Sequence, residues 1–166
     1  DAEESWRLEQ ARRRQIESRI AQIDDHGEVS GEDVVVKAIA AQPYLATTCI
    51  CEDVDHAVRV VGQVVQESSG KLSASLRDRL VVVSRTEQQD DWLDLDIGFS
   101  LTRDTDRIVK LSGGMELSPR ELPQVDTMAT IVRSGPAWRS HFAFSAIGHW
   151  IEANGYQLGG PCREVF

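Results

Sequence analysis

Apolar and polar residues alternate most strictly between Trp92 and Leu101. The apolar set is Leu93, Leu95, Ile97, Phe99 and Leu101, and the set between them includes Asp94 and Asp96. Alternation with a period of two predicts a strand in a sheet that packs on one face. The apolar run over residues 80–84 predicts a neighbouring strand, joined to the first through residues 87–91.

Two other stretches repeat their apolar residues with the period of a helix. The first runs from Asp53, a suitable N-cap, to Gly70, which is expected to adopt the left-handed conformation after the helix. The second is predicted to begin at residues 134–136, Ser-Gly-Pro, because proline suits the first helical position, and to end at Gly155. Its apolar stripe contains Phe142, Ala146, Trp150 and Ala153.

Strand-like runs surround both helices. They cover residues 34–39 and 44–51 around a kink at Pro43, residues 108–111, 115–122 and 127–133 before the second helix, and residues 162–166 after it. The order kinked strand, helix, strand therefore occurs at 34–84 and again at 115–166. This repetition predicts an α+β fold of two repeats.

The N-terminal residues 2–23 are polar and contain neither proline nor glycine, which predicts a long helix. Ile16, Ile20 and Ile23 have the spacing of a two-stranded coiled-coil seam, so the helix is expected to pair with a second copy. A helix docked on its own domain is the alternative. Residues 24–32 are rich in turn formers and acids. We therefore predict a linker and dimerisation helix over residues 1–26 and a folded domain over residues 33–166.

Composition limits the classes of function. Of the 166 residues, 41% are apolar and 27% are charged, which is a normal balance for one globular domain with an appendage. The net charge of −9 argues against nucleic-acid binding by these residues and favours cationic partners. No apolar run approaches the roughly 18 residues of a spanning helix, so a cytoplasmic protein without a membrane partner is expected. Because the chain begins at Asp1, we expect a piece of a longer protein.

The cysteines and histidines predict no metal site. Cys49, Cys51 and Cys162 form a C-x-C pair plus one, which matches no usual zinc spacing and suits buried thiols in a reducing compartment. His141 and His149 lie eight residues apart, so they do not form a metal-binding pair on one helical turn. No cofactor is predicted either.

Three short segments carry a resemblance to a known family. They are SGPAW at 134–138, HWIEANGY at 149–156 and GGPCREVF at 159–166. Together they resemble the closing part of a GyrI-like effector-binding domain. The resemblance implies two strand-helix-strand-strand repeats related by a pseudo-twofold, with a small-molecule groove between them. It also implies the effector-sensing part of a MerR-type regulator, a homodimer through residues 2–23, whose DNA contacts belong to a domain outside this chain.

In the multidrug-responsive members of this family the matching glutamate of the closing strand anchors cationic aromatic ligands, and the resemblance gives Glu164 that position. A strand carboxylate near the centre of a fold is unfavourable as an ion unless it has a partner, which agrees with such a role. Aromatic side chains that could complete the groove, because cations bind over their faces, are Tyr44, Trp138, Trp92, Phe166 and Tyr156. Asp94 and Asp96 form either a solvated face that discourages edge pairing or an acidic lip of this groove.

No nucleophile elbow, phosphate loop or Ser-His-Asp order is found in the sequence. A regulator is therefore preferred over an enzyme. Some GyrI-like proteins resemble small hydrolases, in which Glu164 would serve as a general base. A module that inhibits another protein is a third alternative function for the same fold.

Overall fold

The computed structural model describes residues 33–85, 92–136 and 139–166. The helix predicted over residues 2–23, the linker over residues 24–32, the strand connection at 87–91 and Trp138 lie outside these residues. The bounds of the linker helix and of the folded domain therefore stay predictions.

Two helices and eight strands form the described part of the chain. They are β1 Val35–Ile39, β2 Gln42–Cys51, α1 Val54–Ser68, β3 Arg77–Ser84, β4 Leu93–Leu101, β5 Val109–Lys110, β6 Glu116–Leu122, β7 Val125–Thr130, α2 Ser140–Ala153 and β8 Cys162–Val165. This content confirms the α+β class. The pseudo-twofold relation between two repeats stays a prediction. Neither described helix has the length and apolar character that a membrane-spanning segment needs.

The chain divides into two compact units. Among the described residues, one unit contains those within 33–38 and 126–158, and the other contains those within 39–125 and 159–166. In the first unit β1 pairs with β7, and the Thr130 hydroxyl donates a hydrogen bond to the Val35 carbonyl at 2.9 Å. This unit also contains α2, in which Ala143 and Ala146 are buried while Phe142 and Trp150 are half-buried.

The second unit is a six-stranded sheet in the order β5-β6-β2-β4-β3-β8. All of its described ladders are antiparallel. Helix α1 supplies Val60 and Val64 to a core cluster that also contains Leu45, Ile97 and Phe99. The alternation read in the sequence of β4 is confirmed, because Leu95, Ile97, Phe99 and Leu101 all belong to this cluster. Burial of these side chains is the main stabilising contribution of the sheet face that carries α1.

Glycine permits a close approach at the centre of the sheet. Gly98 of β4 lies opposite Ala46 of β2. A Cβ atom at Gly98 would lie 2.0 Å from the Leu45 carbonyl oxygen and 2.6 Å from the Ala46 Cα. The pairing of β2 with β4 therefore requires glycine at this position.

The helix ends agree only in part with the sequence. Asp53 caps α1 as predicted, because its carboxylate accepts a hydrogen bond from the His56 backbone N–H at 2.7 Å. The predicted role of Gly70 is wrong. The helix ends at Ser68, Gly70 is not among the described glycines with positive φ, and the chain turns instead through Leu72, whose N–H donates to the Ser68 carbonyl at 2.9 Å.

Helix α2 begins at Ser140, later than the predicted start at Pro136. Before this helix, the Arg139 N–H donates a hydrogen bond to the Pro136 carbonyl at 3.1 Å. The predicted end at Gly155 is confirmed. Gly155 has φ of 73°, its N–H donates to the Glu152 carbonyl, and the Tyr156 N–H donates to the Ile151 carbonyl, which together form a Schellman motif.

Candidate ligand-binding site

The two faces of the six-stranded sheet carry different chemistry. Directly opposed residues of an antiparallel ladder project to the same face, and successive residues of a strand project to opposite faces. One face packs on α1. The other, which we call the Tyr44 face, carries the small cluster Tyr44, Ala46, Val81, Val83 and Leu122, together with Asp96 and Arg120.

Tyr44 is a structural hydrogen-bond donor on this face. Its side chain is buried, and its hydroxyl donates to the Val81 carbonyl at 2.6 Å. Burial, with a smaller contribution from the negative charge of Asp96, raises the pKa of Tyr44 well above its usual value. The phenol therefore stays protonated and holds β2 to β3 across the intervening strand.

Asp96 lies at the centre of a charged network. Its carboxylate contacts the Arg120 guanidinium at 2.7 Å and the Arg85 guanidinium at 3.5 Å, and it accepts a hydrogen bond from the Thr48 hydroxyl at 2.6 Å. Arg85 also contacts Asp94 at 2.7 Å, and this hydrogen bond is the main reason why the pKa of Arg85 is raised. The two aspartates project together as predicted, but arginines already neutralise them. A cation at this face would have to displace an arginine.

A shallow cavity of about 240 Å³ opens beside this network. Its lining is formed by Pro43, Tyr44, Leu101, Asp104, Thr105, Pro119 and Arg120. Pockets for drug-sized ligands usually measure about 300–1,000 Å³. The cavity is therefore large enough for a small polar fragment rather than for a large aromatic cation.

Strand β8 brings two of the predicted site residues together. Glu164 is half-buried and lies opposite Val82 of β3. The Phe166 N–H donates to the Leu80 carbonyl at 2.9 Å, which continues the ladder beyond the strand. Glu164 and Phe166 are two residues apart along this extended segment, so they share a face. The register places them on the α1 face, opposite to Tyr44.

The structure also describes two of the other predicted aromatic residues. Trp92, immediately before β4, is 52% exposed. Tyr156 is equally exposed but belongs to the other unit, where its ring stacks on Trp150 with a centroid distance of 5.5 Å. Trp138 lies outside the described residues. The ligand-binding roles of all these aromatic residues stay predictions.

The structure adds a cluster that the sequence analysis missed. Cys49, Cys51 and His56 offer metal-ligating atoms that all lie within 4.8 Å of one another. Burial raises the pKa of the Cys51 thiol to about 12. The signal in the sequence was a histidine five residues after C-x-C, at the start of a capped helix. The prediction of three buried thiols is right for Cys51 and wrong for Cys162, which is exposed, and Cys49 is half-buried.

Solved structures with a similar arrangement of elements include two of EcmrR. The crystal structure of the EcmrR C-terminal domain has a TM-score of 0.62 and 16% identity, over 80% of this chain and 82% of that chain. The fold is that of the EcmrR C-terminal domain. The cryo-EM structure of an EcmrR–DNA complex has a TM-score of 0.64 and 17% identity, over 98% of this chain and 62% of that chain. No protein-family model and no curated protein sequence matches the chain significantly.

EcmrR is a MerR-family regulator, so the resemblance read in the closing segments is confirmed at the level of fold. This chain spans less than two thirds of the EcmrR chain in the DNA complex. At 16–17% identity the likeness to EcmrR concerns the backbone arrangement. The chemistry of a binding site has to come from the side chains of this chain.

Proposed function

We propose that this chain is the effector-binding domain of a MerR-type transcriptional regulator with a GyrI-like fold. The observation that carries the proposal is the likeness to the EcmrR C-terminal domain, supported by the independent resemblance of the closing segments. EcmrR has been solved bound to DNA. DNA contact would belong to a separate domain of the regulator, because the net charge of −9 on these 166 residues opposes phosphate binding.

The effector in this proposal is a cationic aromatic molecule, and its anchor is the pair Glu164 and Phe166. A half-buried carboxylate is stabilised by an opposite charge, and an exposed ring two residues away adds cation–π attraction. A cation bound at Asp94 or Asp96 would have to compete with Arg85 and Arg120, which already contact these carboxylates. Tyr44 is not part of this anchor, because its side chain is buried on the opposite face of the sheet.

Signal transfer in this proposal follows from linkage. An effector that binds one arrangement of the dimer more tightly shifts the population toward it by its differential affinity. The pairing of residues 2–23 would carry that shift to the DNA-binding domain. The reading frame upstream of Asp1 provides a direct check, because the proposal expects a helix-turn-helix domain there, and a start codon immediately before Asp1 would contradict it.

Dye binding tests the anchor. We expect a cationic aromatic dye to bind and quench tryptophan fluorescence, and a neutral analogue with the same rings to bind more weakly. Glu164→Gln should lower the affinity for the cationic dye by about ten-fold or more, which corresponds to about 1.4 kcal/mol of binding free energy. The affinity for the neutral analogue should stay unchanged. Glu121→Gln, on an exposed residue of β6, is the matched control. Equal affinities for the two dyes would contradict the anchor role of Glu164.

The hydrolase alternative makes a different prediction for the same variant. If Glu164 were a general base, Glu164→Gln would keep ligand binding and lose turnover, because an amide cannot accept the proton. Hydrolysis of a panel of small electrophiles by both proteins distinguishes the two functions. Turnover by the wild type that disappears in Glu164→Gln would favour the enzyme.

A further inference from the structure

Three metal-ligating side chains meet at the end of β2. The Sγ atoms of Cys49 and Cys51 are 3.4 Å apart, and a ring nitrogen of His56 lies within 4.8 Å of both. Cys51 is fully buried, while Cys49 and His56 are half-buried. The cluster is therefore reachable from solvent on one side and enclosed by the core on the other.

The backbone fixes the position of each ligand. Cys49 and Cys51 are two residues apart in a strand, so their side chains share the face that packs on α1. Their ladder partners, Leu95 and Leu93, hold this register. The capping bond from the His56 N–H to Asp53 fixes the first turn of α1 beside the strand. His56 Nδ1 also accepts a hydrogen bond from the Glu52 N–H at 3.3 Å, and a metal bound through that nitrogen would replace this bond.

We propose that Cys49, Cys51 and His56 bind a zinc(II) ion. Zinc takes thiolate sulfur at about 2.3 Å and imidazole nitrogen at about 2.0–2.1 Å in a tetrahedral arrangement, which places two sulfur ligands about 3.8 Å apart. The present sulfur separation of 3.4 Å has to widen by only a few tenths of an ångström. Two thiolates neutralise the charge of the ion, which suits a partly buried site. Three protein ligands leave the fourth position for water or a small ligand.

Other occupants fit the cluster less well. Magnesium and calcium prefer oxygen ligands, and the cluster offers two sulfurs and one nitrogen. A disulfide between the cysteines is disfavoured, because two extended residues separate their Cα atoms by about 6.7 Å, near the upper limit for a disulfide. The zinc site would connect the end of β2 to the start of α1. It does not depend on the proposed effector site at Glu164 and Phe166.

The experiment uses the reduced 166-residue chain, with Zn²⁺ as the probe and a chromophoric chelator as competitor. The wild type should bind one Zn²⁺ per chain, and Co²⁺ in its place should give a thiolate-to-metal charge-transfer band. Cys49→Ser and His56→Gln should each weaken Zn²⁺ binding by at least about ten-fold. Zn²⁺ should also raise the thermal midpoint of the wild type, because it binds the folded chain.

Two variants serve as controls. Cys162→Ser removes an exposed thiol and His149→Gln an exposed imidazole, both outside the cluster, so both should bind Zn²⁺ as the wild type does. His56→Gln decides the test if Cys49→Ser does not fold, because His56 is half-buried and helix α1 accepts glutamine. The proposal is overturned if the reduced wild type binds no Zn²⁺, or if His56→Gln binds it as tightly as the wild type. An equal loss of binding in Cys162→Ser would also overturn it.

Discussion

At the scale of single residues, polar groups on the Tyr44 face are held by specific partners rather than by solvent. Tyr44 donates to a backbone carbonyl, and Asp96 has two arginines and a threonine around it. In a partly buried network each member depends on its neighbours, because a polar group that loses its partner there is strongly destabilising. Tyr44 is the most buried member and therefore gives the clearest prediction.

Tyr44→Phe should lower the free energy of unfolding by about 1–2 kcal/mol, because the Val81 carbonyl loses its buried donor. Urea titration monitored by circular dichroism measures this change. Tyr156→Phe is the control, since Tyr156 is exposed, and it should have little effect. Equal losses in the two variants would contradict the structural role of the Tyr44 hydroxyl.

The Tyr44 hydroxyl also makes the free energy of unfolding depend on pH. The folded-state pKa of Tyr44 is raised above its ordinary value of 10.0, chiefly by burial. The unfolded chain is expected to have the ordinary tyrosine pKa of 10.0. The free energy of unfolding that the protonated hydroxyl contributes is therefore fully present below pH 10 and is lost as the pH rises toward the folded-state pKa. Between pH 9 and pH 11 the wild type should lose more stability than Tyr44→Phe does. Parallel losses in the two proteins would show that Tyr44 does not cause the alkaline effect.

At the scale of elements, periodicity was the part of the sequence that predicted structure well. The alternation in β4 and the helical period of α1 are repeated over many residues, so each reports directly which face is buried. The ends of the helices depend on single turns. Gly70 failed as a left-handed terminator because the backbone hydrogen bonds of Leu72 close the turn without it.

The site residues were harder to predict, because they depend on which strands become neighbours. Nothing local in the sequence indicates that Asp96 contacts Arg120, which lies 24 positions away. The Cys49, Cys51 and His56 cluster likewise requires the strand register and the capped helix together. The common face of Glu164 and Phe166, in contrast, follows from their spacing in a strand.

Gly98→Ala tests the closest approach between two elements. The added Cβ would collide with the backbone of β2, so the variant should lose about 3 kcal/mol of stability or should change the strand register. Gly62→Ala is the matched control, because a Cβ at this position of α1 meets no atom within 4 Å. That change should stabilise the chain by about 0.5–1 kcal/mol. Equal tolerance of alanine at both positions in chemical denaturation would contradict the close contact.

At the scale of the whole molecule, the proposed effector-dependent regulation requires the chain to form a dimer. The seam Ile16, Ile20 and Ile23 predicts that two copies pair through residues 2–23. A short coiled coil of this kind is marginal by itself, so the dimer should be concentration-dependent.

Deletion of residues 2–23 should therefore leave a folded monomer. Sedimentation equilibrium over a range of concentrations would show a reversible dimer for the full chain and a single small species for the deletion. The far-ultraviolet circular dichroism of the deletion should keep the strand signal of residues 33–166. If both proteins have the same mass per particle at all concentrations, residues 2–23 do not mediate dimerisation.

The order of the sheet also has a consequence for solubility. Among the described strands, β5 and β8 are the two edges, and an open edge can recruit a strand from another molecule and start aggregation. β5 has only two residues, so it offers little backbone to pair with. β8 has four residues, and two of them, Arg163 and Glu164, are charged neighbours. A strand from another molecule that paired with β8 would have to remove water from both charges, which disfavours aggregation through this edge. Light scattering from concentrated Glu164→Val should therefore rise faster with time than that from Glu121→Val.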